Sequence, residues 1–465
     1  MIIVDKNNYE EYLSDNEINR RWQKRDFVLE VEKYMDSSLN KVLLISGLKC
    51  TGKSIGVLQA MQGRNAVYSL MEQMAHTSVE DLMQILASRE EDIIVVDEYD
   101  LVQDRRDIVL AEFFYRLISH GKQVIVIGSK PLCLEALKIG PLAHRTVTLH
   151  TTYVSFSEYY RLYDKPMNLN TCGEYLMHNF RKSTALNSNA IMNYVEEAII
   201  PDLREFICSR VLLDETKISD IVYLLLCNIV LDWAYHDSKF LQNKDITDAP
   251  MVLEKLYIDL GHYQVSFGDI RDIADFLCRA GVLIKIPNLL SEDGNTRNRL
   301  FNGYGTFIVD PSLAYQIAMT VFPNCGIDNT LNLVYEANCV VDLYFRKQFA
   351  DSIYYVELKE ADSYEIGIVI SSNDDLRKKQ FYLFECRYQC AMDVSYENLF
   401  ITSSKFDELL KVDFPDSEVC GRFIIHPGDN GWQMCESGKE IAIVNQDDNL
   451  YKYYNFDQLR NYTKQ

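Results

Sequence analysis

The residues best suited to chemistry in this 465-residue sequence form the segment GLKCTGKS, from Gly47 to Ser54. It matches the pattern G-x-x-x-x-G-K-[ST] at every fixed position. A loop of this kind turns backbone N–H groups toward phosphates, and the N-terminus of the following helix adds its positive end. We expect Lys53 to reach the β- and γ-phosphates of ATP and the Ser54 hydroxyl to join the shell of Mg²⁺. The positions expected to contact the nucleotide are Gly47, Cys50, Thr51, Gly52, Lys53, Ser54 and Ile55.

Two acidic residues, Asp97 and Glu98, follow the apolar run in IIVVDEYD. Open α/β sheets bind their ligands at the carboxyl ends of the strands, so both carboxylates are expected beside the glycine-rich loop. Asp97 would hold Mg²⁺, directly or through a water, and Glu98 would polarise the water that attacks the γ-phosphate. The structural alternative is that both acids only cap a strand. Together with the loop, the pair predicts an enzyme that hydrolyses ATP.

Two further polar residues, Ser129 and Arg145, are catalytic candidates for the same reaction. Ser129 follows the strand-like run QVIVIG, a position from which a polar side chain can sense the γ-phosphate. A plain turn at the end of the strand explains Ser129 nearly as well. Arg145, in PLAHR, could stabilise charge in the transition state, either within its own chain or across a subunit interface. A salt bridge to one of the many acidic residues is the alternative for Arg145.

Apolar strands alternate with amphipathic helices through the first third of the chain. Such alternation predicts a parallel sheet covered by helices on both faces, which is the α/β fold of a P-loop NTPase. The segments are strands at 41–46, 66–70, 92–100, 123–130 and 146–150, with helices at 79–88 and 107–119 between them.

The rest of the chain changes character twice. Residues 167–260 have a helical pattern, and residues 267–310 give a helix, a strand, a polar turn and a second strand, the outline of a winged helix. A helical stretch from 326 then leads to segments with strand character at 352–358, 364–370, 381–388 and 397–404, and a strand or two near the C-terminus. We therefore predict three domains: an ATPase domain at 1–165, a helical and winged-helix domain at 166–325 and an α/β domain at 326–465.

Composition indicates the class of protein and the cellular compartment in which this chemistry takes place. Hydrophobic residues make up 48% and charged residues 25%, the balance of a globular protein with buried cores. The twelve cysteines lack metal-site spacing and are interpreted as reduced thiols. The N-terminus is polar and acidic, unlike a secretory signal, and no apolar run reaches the length of a membrane span. We expect a cytoplasmic protein that uses no metal except magnesium.

The net charge of -21 bears on possible partners. It repels a phosphate backbone at long range, so nucleic-acid binding is possible but not favoured. Basic residues at 20–25 and at Arg297 and Arg299 could override this locally, although solvated surface is the simpler interpretation. The helix at the winged-helix outline carries three aspartates beside two arginines, which favours a protein partner or self-association over a DNA groove.

With these residues in view, the chain resembles a family of prokaryotic AAA-like ATPases that carry a C-terminal restriction-endonuclease-like domain of unknown function. The resemblance covers roughly residues 20 to 405. It implies a P-loop ATPase sheet, a winged helix and a nuclease-like α/β domain. The family's link to the STAND signalling ATPases implies a regulatory switch rather than a processive motor. The motifs that carry the resemblance are GLKCTGKS, IIVVDEYD, VIVIGSK, LAHR, VSFSEYY, RLFNGYGTFIVDPSLA and LNLVYE.

Two alignments of a PD-(D/E)xK metal site onto the C-terminal domain compete. The literal one pairs Asp342 with Glu357 and Lys359, but Asp342 lies in a segment predicted to be helical. The alignment implied by the resemblance uses Glu336, the strand YEIGIVI and the segment FECRY. There Gly367 stands where a metal-binding Asp is expected, and Glu385-Cys386-Arg387 replaces E-x-K. Loss of that Asp removes a principal metal ligand, so this alignment predicts an inactive nuclease fold.

Three hypotheses follow for the whole chain. The first is a magnesium-dependent ATPase that acts as a nucleotide-driven switch, with the nuclease-like domain as a binding module. The second is an ATP-regulated nuclease or nucleic-acid-binding protein in defence or mobile-element biology. The third is a nucleotide-binding scaffold with negligible turnover.

Overall fold

The computed structural model divides into two compact units: residues 1–154 with 161–163 and 279–281, and the remainder. The predicted boundary near 165 lies close to the first division of the chain, whereas the one at 325/326 falls inside the second unit. The three-domain division stays a prediction. The structure describes residues 1–16, 18, 23–48, 51–71, 77–103, 106–151, 153–178, 199–200, 203, 215–236, 267–289, 304–345, 353–360, 363–372, 380–388, 400–428, 431–434 and 440–445.

The first unit is built on a six-stranded sheet with the order β1-β3-β4-β5-β2-β6. All neighbouring strands run parallel except β1, which pairs antiparallel with β3. The predicted parallel α/β sheet is thus confirmed, and β1 is an addition at its edge. The strands are β1 (Ile2–Val4), β2 (Val42–Ser46), β3 (Ala66–Leu70), β4 (Ile93–Asp97), β5 (Gln123–Gly128) and β6 (Thr146–His150).

Helices cover both faces of this sheet, because alternate side chains of each buried strand point to opposite faces. Val42 and Leu44 lie in one apolar core with Phe114, while Leu43 and Ile45 lie in another. That is why these strands are continuous apolar runs instead of alternating ones. The helices of this region are α1 (Tyr9–Asp15), α2 (Asp26–Met35), α3 (Lys53–Met61), α4 (Val79–Ala87), α5 (Asp107–Ser119) and α6 (Pro131–Glu135).

The second unit begins with helices and a short antiparallel pair of strands. Helix α10 is followed by β7 and β8, which pair antiparallel, so the helix–strand–strand outline is present, although the segment 290–303 between them lies outside the described residues. Trp233 donates from Nε1 to the Thr306 carbonyl in β8 at 2.8 Å. The elements are α7 (Phe156–Leu162), α8 (Leu169–His178), α9 (Glu215–His236), α10 (Phe267–Arg279), β7 (Leu283–Pro287) and β8 (Tyr304–Ile308).

Two further helices, α11 (Pro311–Val321) and α12 (Ile327–Phe345), lead to a second six-stranded sheet. Its order is β13-β14-β12-β11-β10-β9, with antiparallel pairing along β9-β10-β11 and parallel pairing along β11-β12-β14. We call it the C-terminal sheet. Its strands are β9 (Ile353–Glu360), β10 (Ser363–Ser372), β11 (Gln380–Cys386), β12 (Glu418–His426), β13 (Gly431–Met434) and β14 (Glu440–Asn445).

The strand predicted at 397–404 is wrong over its described part. Phe400–Thr402 forms a single 3₁₀ turn, and helix α13 (Ser404–Asp413) follows. The Ser403 hydroxyl accepts a hydrogen bond from the backbone N–H of Phe406 and so caps the helix. Phe406 and Leu410 then have the helical spacing that buries one side of α13.

Two other predictions, on membrane spans and on basic segments, can be compared only with the described residues. No described helix is long and apolar enough to cross a membrane. Of the basic segment 20–25 only residues 23–25 are described, and Arg297 and Arg299 lie outside the described residues.

Candidate phosphate-binding site

The glycine-rich loop follows β2 directly and ends where α3 begins. Gly47 has a φ of 154°, and a Cβ there would lie 2.2 Å from the Thr151 hydroxyl oxygen, so no other residue fits without displacing Thr151. Gly52 has a φ of 80° and occupies the position before the first turn of α3. These glycines allow the tight path that the motif predicts. Cys50 lies outside the described residues, and Ile55 is half-buried in the first turn of α3.

Lys53 is buried, with 7% of its surface exposed. Its ammonium group donates to the carbonyls of Gly47 at 2.7 Å and Leu48 at 2.8 Å. The side chain therefore folds back over the start of the loop, where its charge is satisfied by backbone dipoles. An incoming phosphate would offer the same ammonium stronger, charged acceptors.

Asp97 ends β4 and lies almost completely buried, with 1% of its surface exposed. Oδ1 accepts the backbone N–H of Glu98 at 2.7 Å, Oδ2 accepts the Tyr68 hydroxyl at 2.5 Å, and the carboxylate is also hydrogen-bonded to Ser54. Burial raises the pKa of Asp97, while the bonds from Ser54, Tyr68 and Glu98 and the charge of Lys53 oppose that rise. The structure thus brings together the two residues predicted to hold Mg²⁺, Ser54 and Asp97.

Glu98 has a left-handed backbone, with φ 53° and ψ 43°. Among the described non-glycine residues only Asp164 shares a positive φ. The conformation costs about 1–2 kcal/mol in an L-residue, so the surrounding turn must hold it. The Glu98 carbonyl accepts the Leu101 N–H at 2.9 Å, and the buried Tyr99 donates from its hydroxyl to Asp107 at 3.1 Å. Glu98 itself is half-buried at the end of β4, where the attacking water was predicted.

Ser129 lies at the end of β5, on the same edge of the sheet as the loop. It is buried, and Asp100 accepts from it twice: from the backbone N–H at 3.1 Å and from the hydroxyl at 2.8 Å. Gly128 allows this approach, because a Cβ there would lie 2.6 Å from Asp100 Oδ1. The Asp100–Ser129 pair joins the turn that carries Glu98 to the neighbouring strand. Asp100 stands within IIVVDEYD, but no fixed position of that motif marks it in the sequence.

Arg25 and Thr151 fasten the loop from the other side. The Arg25 guanidinium donates to the Thr51 carbonyl at 2.7 Å and to the Tyr153 carbonyl at 3.2 Å. The hydroxyls of Thr51 and Thr151 lie 2.8 Å apart and share a hydrogen bond. Arg25 stood out in the sequence only as part of the basic segment 20–25, and Thr151 belongs to no recognisable motif.

Arg145 precedes β6 and lies at the amino ends of the strands, whereas the loop lies at their carboxyl ends. Its carbonyl accepts the N–H of Val42, the first residue of β2, at 2.8 Å, and its guanidinium lies 5.5 Å from the centre of the Tyr115 ring. The loop follows the last residue of β2, on the order of 15 Å away along the strand. The geometry conflicts with a role for Arg145 within its own chain, and a role across a subunit interface stays a prediction.

Some of the residues in the two predicted metal-site alignments lie in the described part of the second unit, whereas the side chains of Glu357 and Lys359 lie outside it. A Cβ at Gly367 would lie 2.0 Å from the Phe400 ring, so the space for an acidic side chain is filled by an aromatic one. Glu385 is buried and forms an ion pair with Arg387. Asp342 lies in helix α12, as predicted, and is buried. Burial raises the pKa of the nearby Tyr175 phenol, and the charge of Asp342 adds to that rise.

Comparison with known proteins gives distant structural similarity only. No protein-family model and no curated protein matches the chain. Among solved structures, Orc1 of Aeropyrum pernix in complex with DNA is 11% identical with a TM-score of 0.24, over 64% of this chain and 92% of that one. The Hsp104–ADP complex of S. cerevisiae is 10% identical with a TM-score of 0.28, over 60% and 46% of the two chains. The RuvB Holliday junction branch migration motor of Thermotoga maritima is 14% identical with a TM-score of 0.25, over 60% and 89%. Scores this low carry no argument about function, which rests on the site geometry alone.

Proposed function

We propose that this chain binds ATP with Mg²⁺ at the carboxyl ends of β2, β4 and β5, hydrolyses it, and acts as a nucleotide-driven switch. We call these strand ends the P-loop edge. The observation that carries the proposal is the convergence there of Lys53, Ser54, Asp97 and Glu98, two of them at the end of the loop and two at the carboxyl end of β4. Each side chain has the chemistry that phosphoryl transfer requires.

The residues present fit a nucleotide and a magnesium ion. Glycines at positions 47 and 52 shape the loop for phosphates, and the Lys53 ammonium is already drawn into it. A hydroxyl and a carboxylate in hydrogen-bond contact, Ser54 and Asp97, are the oxygen donors that Mg²⁺ prefers. When bound, the ion would neutralise charge on the phosphates and help align the γ-phosphate.

Each of the chain's own site residues would then have a separate role. Lys53 exchanges its backbone acceptors for phosphate oxygens, and Glu98 accepts a proton from the attacking water. Ser129 acts at the same edge, either toward the γ-phosphate or through its bond to Asp100. Arg145 acts on the site of a neighbouring copy, which makes self-association part of the proposal.

A switch needs a path from the nucleotide to the rest of the chain. Arg25 and Thr151 tie Thr51 of the loop to residues 151–153, and the second unit begins at Ser155. A phosphate that draws Lys53 off the Gly47 and Leu48 carbonyls would alter the loop that these bonds hold. We therefore expect phosphate binding to alter the conformation of the segment that leads into the second unit.

We infer that the nuclease-like part of the second unit is a binding module without nuclease activity. The space beside Gly367 holds the Phe400 ring, and the Glu385 carboxylate is paired with Arg387. An arginine keeps its proton and can hold a phosphate but cannot act as the nuclease lysine does. The winged-helix outline, with its acidic α10, is proposed to contact protein.

The decisive experiment measures ATP binding and steady-state phosphate release for the wild type, Glu98→Gln and Glu112→Gln. Glu112 is exposed on α5 and serves as the matched control. We expect all three to bind ATP, and Glu98→Gln alone to lose turnover by about 10²-fold or more. Binding without turnover in every variant would point to a nucleotide-gated scaffold. Absence of binding in the wild type would overturn the proposal.

A further inference from the structure

Tyr68 lies in the middle of β3, a strand that carries none of the predicted site residues. It pairs in register with Val95 of β4, and only 1% of its surface is exposed. Its ring lies in the core shared with α2 and α3 and reaches along that face of the sheet to the end of the neighbouring strand. There its hydroxyl donates to Asp97 Oδ2 at 2.5 Å. A residue outside the loop motif thus contacts the Asp97 carboxylate, and its phenol is also hydrogen-bonded to Ser54, the last residue of the motif.

The Asp97 carboxylate is held from three directions. The backbone N–H of Glu98 fixes Oδ1, Ser54 contacts the group from α3, and Tyr68 fixes Oδ2 from β3. The Glu98 bond is local and follows from the turn, and the Ser54 hydroxyl is itself a proposed metal ligand. Once Ser54 turns to Mg²⁺, the Tyr68 hydroxyl still donates to Oδ2 and fixes the plane of the carboxylate.

We propose that Tyr68 is a positioning residue for the magnesium site: its phenol holds the Asp97 carboxylate in the orientation that faces Ser54 and so sets the affinity for the divalent cation. The inference rests on the proposed ATPase function and adds to it a residue that does not touch the nucleotide. Hydrogen bonds to metal-ligating carboxylates typically change metal affinity by about 10–100-fold when they are removed.

A second buried phenol provides a matched control. Tyr34 is also in the core of the first unit, with 5% of its surface exposed, but its hydroxyl donates to the carbonyls of Lys41 at 2.7 Å and Val124 at 2.9 Å. Both acceptors lie at the amino ends of β2 and β5, opposite the P-loop edge. Tyr34→Phe therefore removes a buried hydroxyl from the same core without touching Asp97.

The test measures the dissociation constant of a non-hydrolysable ATP analogue on the full chain, once with excess Mg²⁺ and once with EDTA. For the wild type and Tyr34→Phe, Mg²⁺ should tighten binding by the same factor. For Tyr68→Phe that factor should fall by about 10–100-fold, while binding in EDTA stays at the wild-type level. Binding of Mn²⁺ to the protein–analogue complex, followed by electron paramagnetic resonance, should weaken in parallel.

The outcomes separate this inference from the proposed function. If the wild type binds and hydrolyses ATP but Tyr68→Phe keeps the full effect of Mg²⁺, the inference is wrong and the ATPase proposal stands. If the wild type binds no nucleotide, both fail. Equal weakening with Mg²⁺ and with EDTA would show a general structural role and overturn the inference. Should Tyr68→Phe fold poorly, Tyr68→Met gives the same comparison, because its flexible side chain also lacks a donor.

Discussion

The P-loop edge and the C-terminal sheet both depend on a glycine that admits a close neighbour, but the neighbours differ in kind. At Gly47 the neighbour is the hydroxyl and carbonyl of Thr151, and polar groups surround the loop. At Gly367 it is the ring of Phe400, which belongs to an apolar core with Phe406. In the first arrangement the charged side chain of Lys53 lies against the loop that we propose to bind phosphates. In the second arrangement the Phe400 ring fills the space beside Gly367.

The difference shows that similar residue types acquire function from what they face. Glu98 and Glu385 both lie at or near the ends of strands. Glu98 sits in a strained turn held by Tyr99 and the Asp100–Ser129 pair, whereas the charge of Glu385 is neutralised by Arg387 two residues on. A carboxylate already paired with arginine is a poor base and a poor metal ligand. These surroundings favour chemistry at Glu98, as proposed above, and a packing role for Glu385.

The largest expected effect comes from placing an acid in the C-terminal sheet at Gly367. Gly367→Asp should lower the free energy of unfolding by about 3 kcal/mol or more, because it overpacks the core and buries an unpaired carboxylate. It should yield no magnesium-dependent cleavage of DNA or RNA. Urea unfolding followed by circular dichroism measures the first effect, and a gel assay the second.

A double-mutant cycle with Phe400→Ala controls this experiment. If the ring is what excludes the acid, the double variant should be less destabilised than the sum of the single variants. Strict additivity, or nuclease activity in Gly367→Asp, would contradict the account of a filled site.

The next effect concerns the turn that carries Glu98. Asp100→Ala removes the acceptor of both Ser129 hydrogen bonds and should lower kcat by about 10–100-fold, because the left-handed Glu98 loses its anchor to β5. The dissociation constant for ATP should stay within about twofold, since the described hydrogen bonds of the Asp100 side chain run to Ser129 and not to the loop. Phosphate release and calorimetry measure the two quantities.

Asp92→Ala is the control for Asp100→Ala. Asp92 is also hydrogen-bonded, to Asn65, but it precedes β4 at the other end of the strand. Equal losses of kcat in both variants would mean that the Asp100–Ser129 pair has no special role in positioning Glu98.

The smallest effect is expected at Arg25. Arg25→Ala removes the bonds to the Thr51 and Tyr153 carbonyls and should weaken ATP binding by about 5–10-fold, in keeping with about 1 kcal/mol for a part-buried bond of this kind. Limited proteolysis near residues 151–154 should also lose its dependence on ATP, if Arg25 links the loop to that segment.

Lys24→Ala is the neighbouring control, because Lys24 pairs at the surface with Glu32. Such pairs contribute little. Unchanged affinity in Arg25→Ala, or an equal loss in Lys24→Ala, would remove Arg25 from the proposed path of the switch.

Local patterns predicted much of the fold. Strands β3 and β6 and helix α5 have the bounds that their apolar runs indicated, since each is flanked by polar residues or turns. The strand β1, of three residues, was too short to predict. The strand predicted at 397–404 is wrong over its described part because its apolar and β-branched residues suit a strand, while the capping bond of Ser403 favours a helix. The winged-helix and nuclease-like assignments stay predictions.

The sequence by itself was enough to predict the phosphate-binding loop from Gly47 to Ser54 and the acidic pair at Asp97 and Glu98, because both are recognised by residue type and spacing along the chain. Only the tertiary structure decided which side chains support or exclude that chemistry. Tyr68 meets Asp97, and Asp100 meets Ser129, across 29 positions each, and Phe400 fills the space beside Gly367. Such contacts arise when strands pair and helices pack, so no local pattern in the sequence records them.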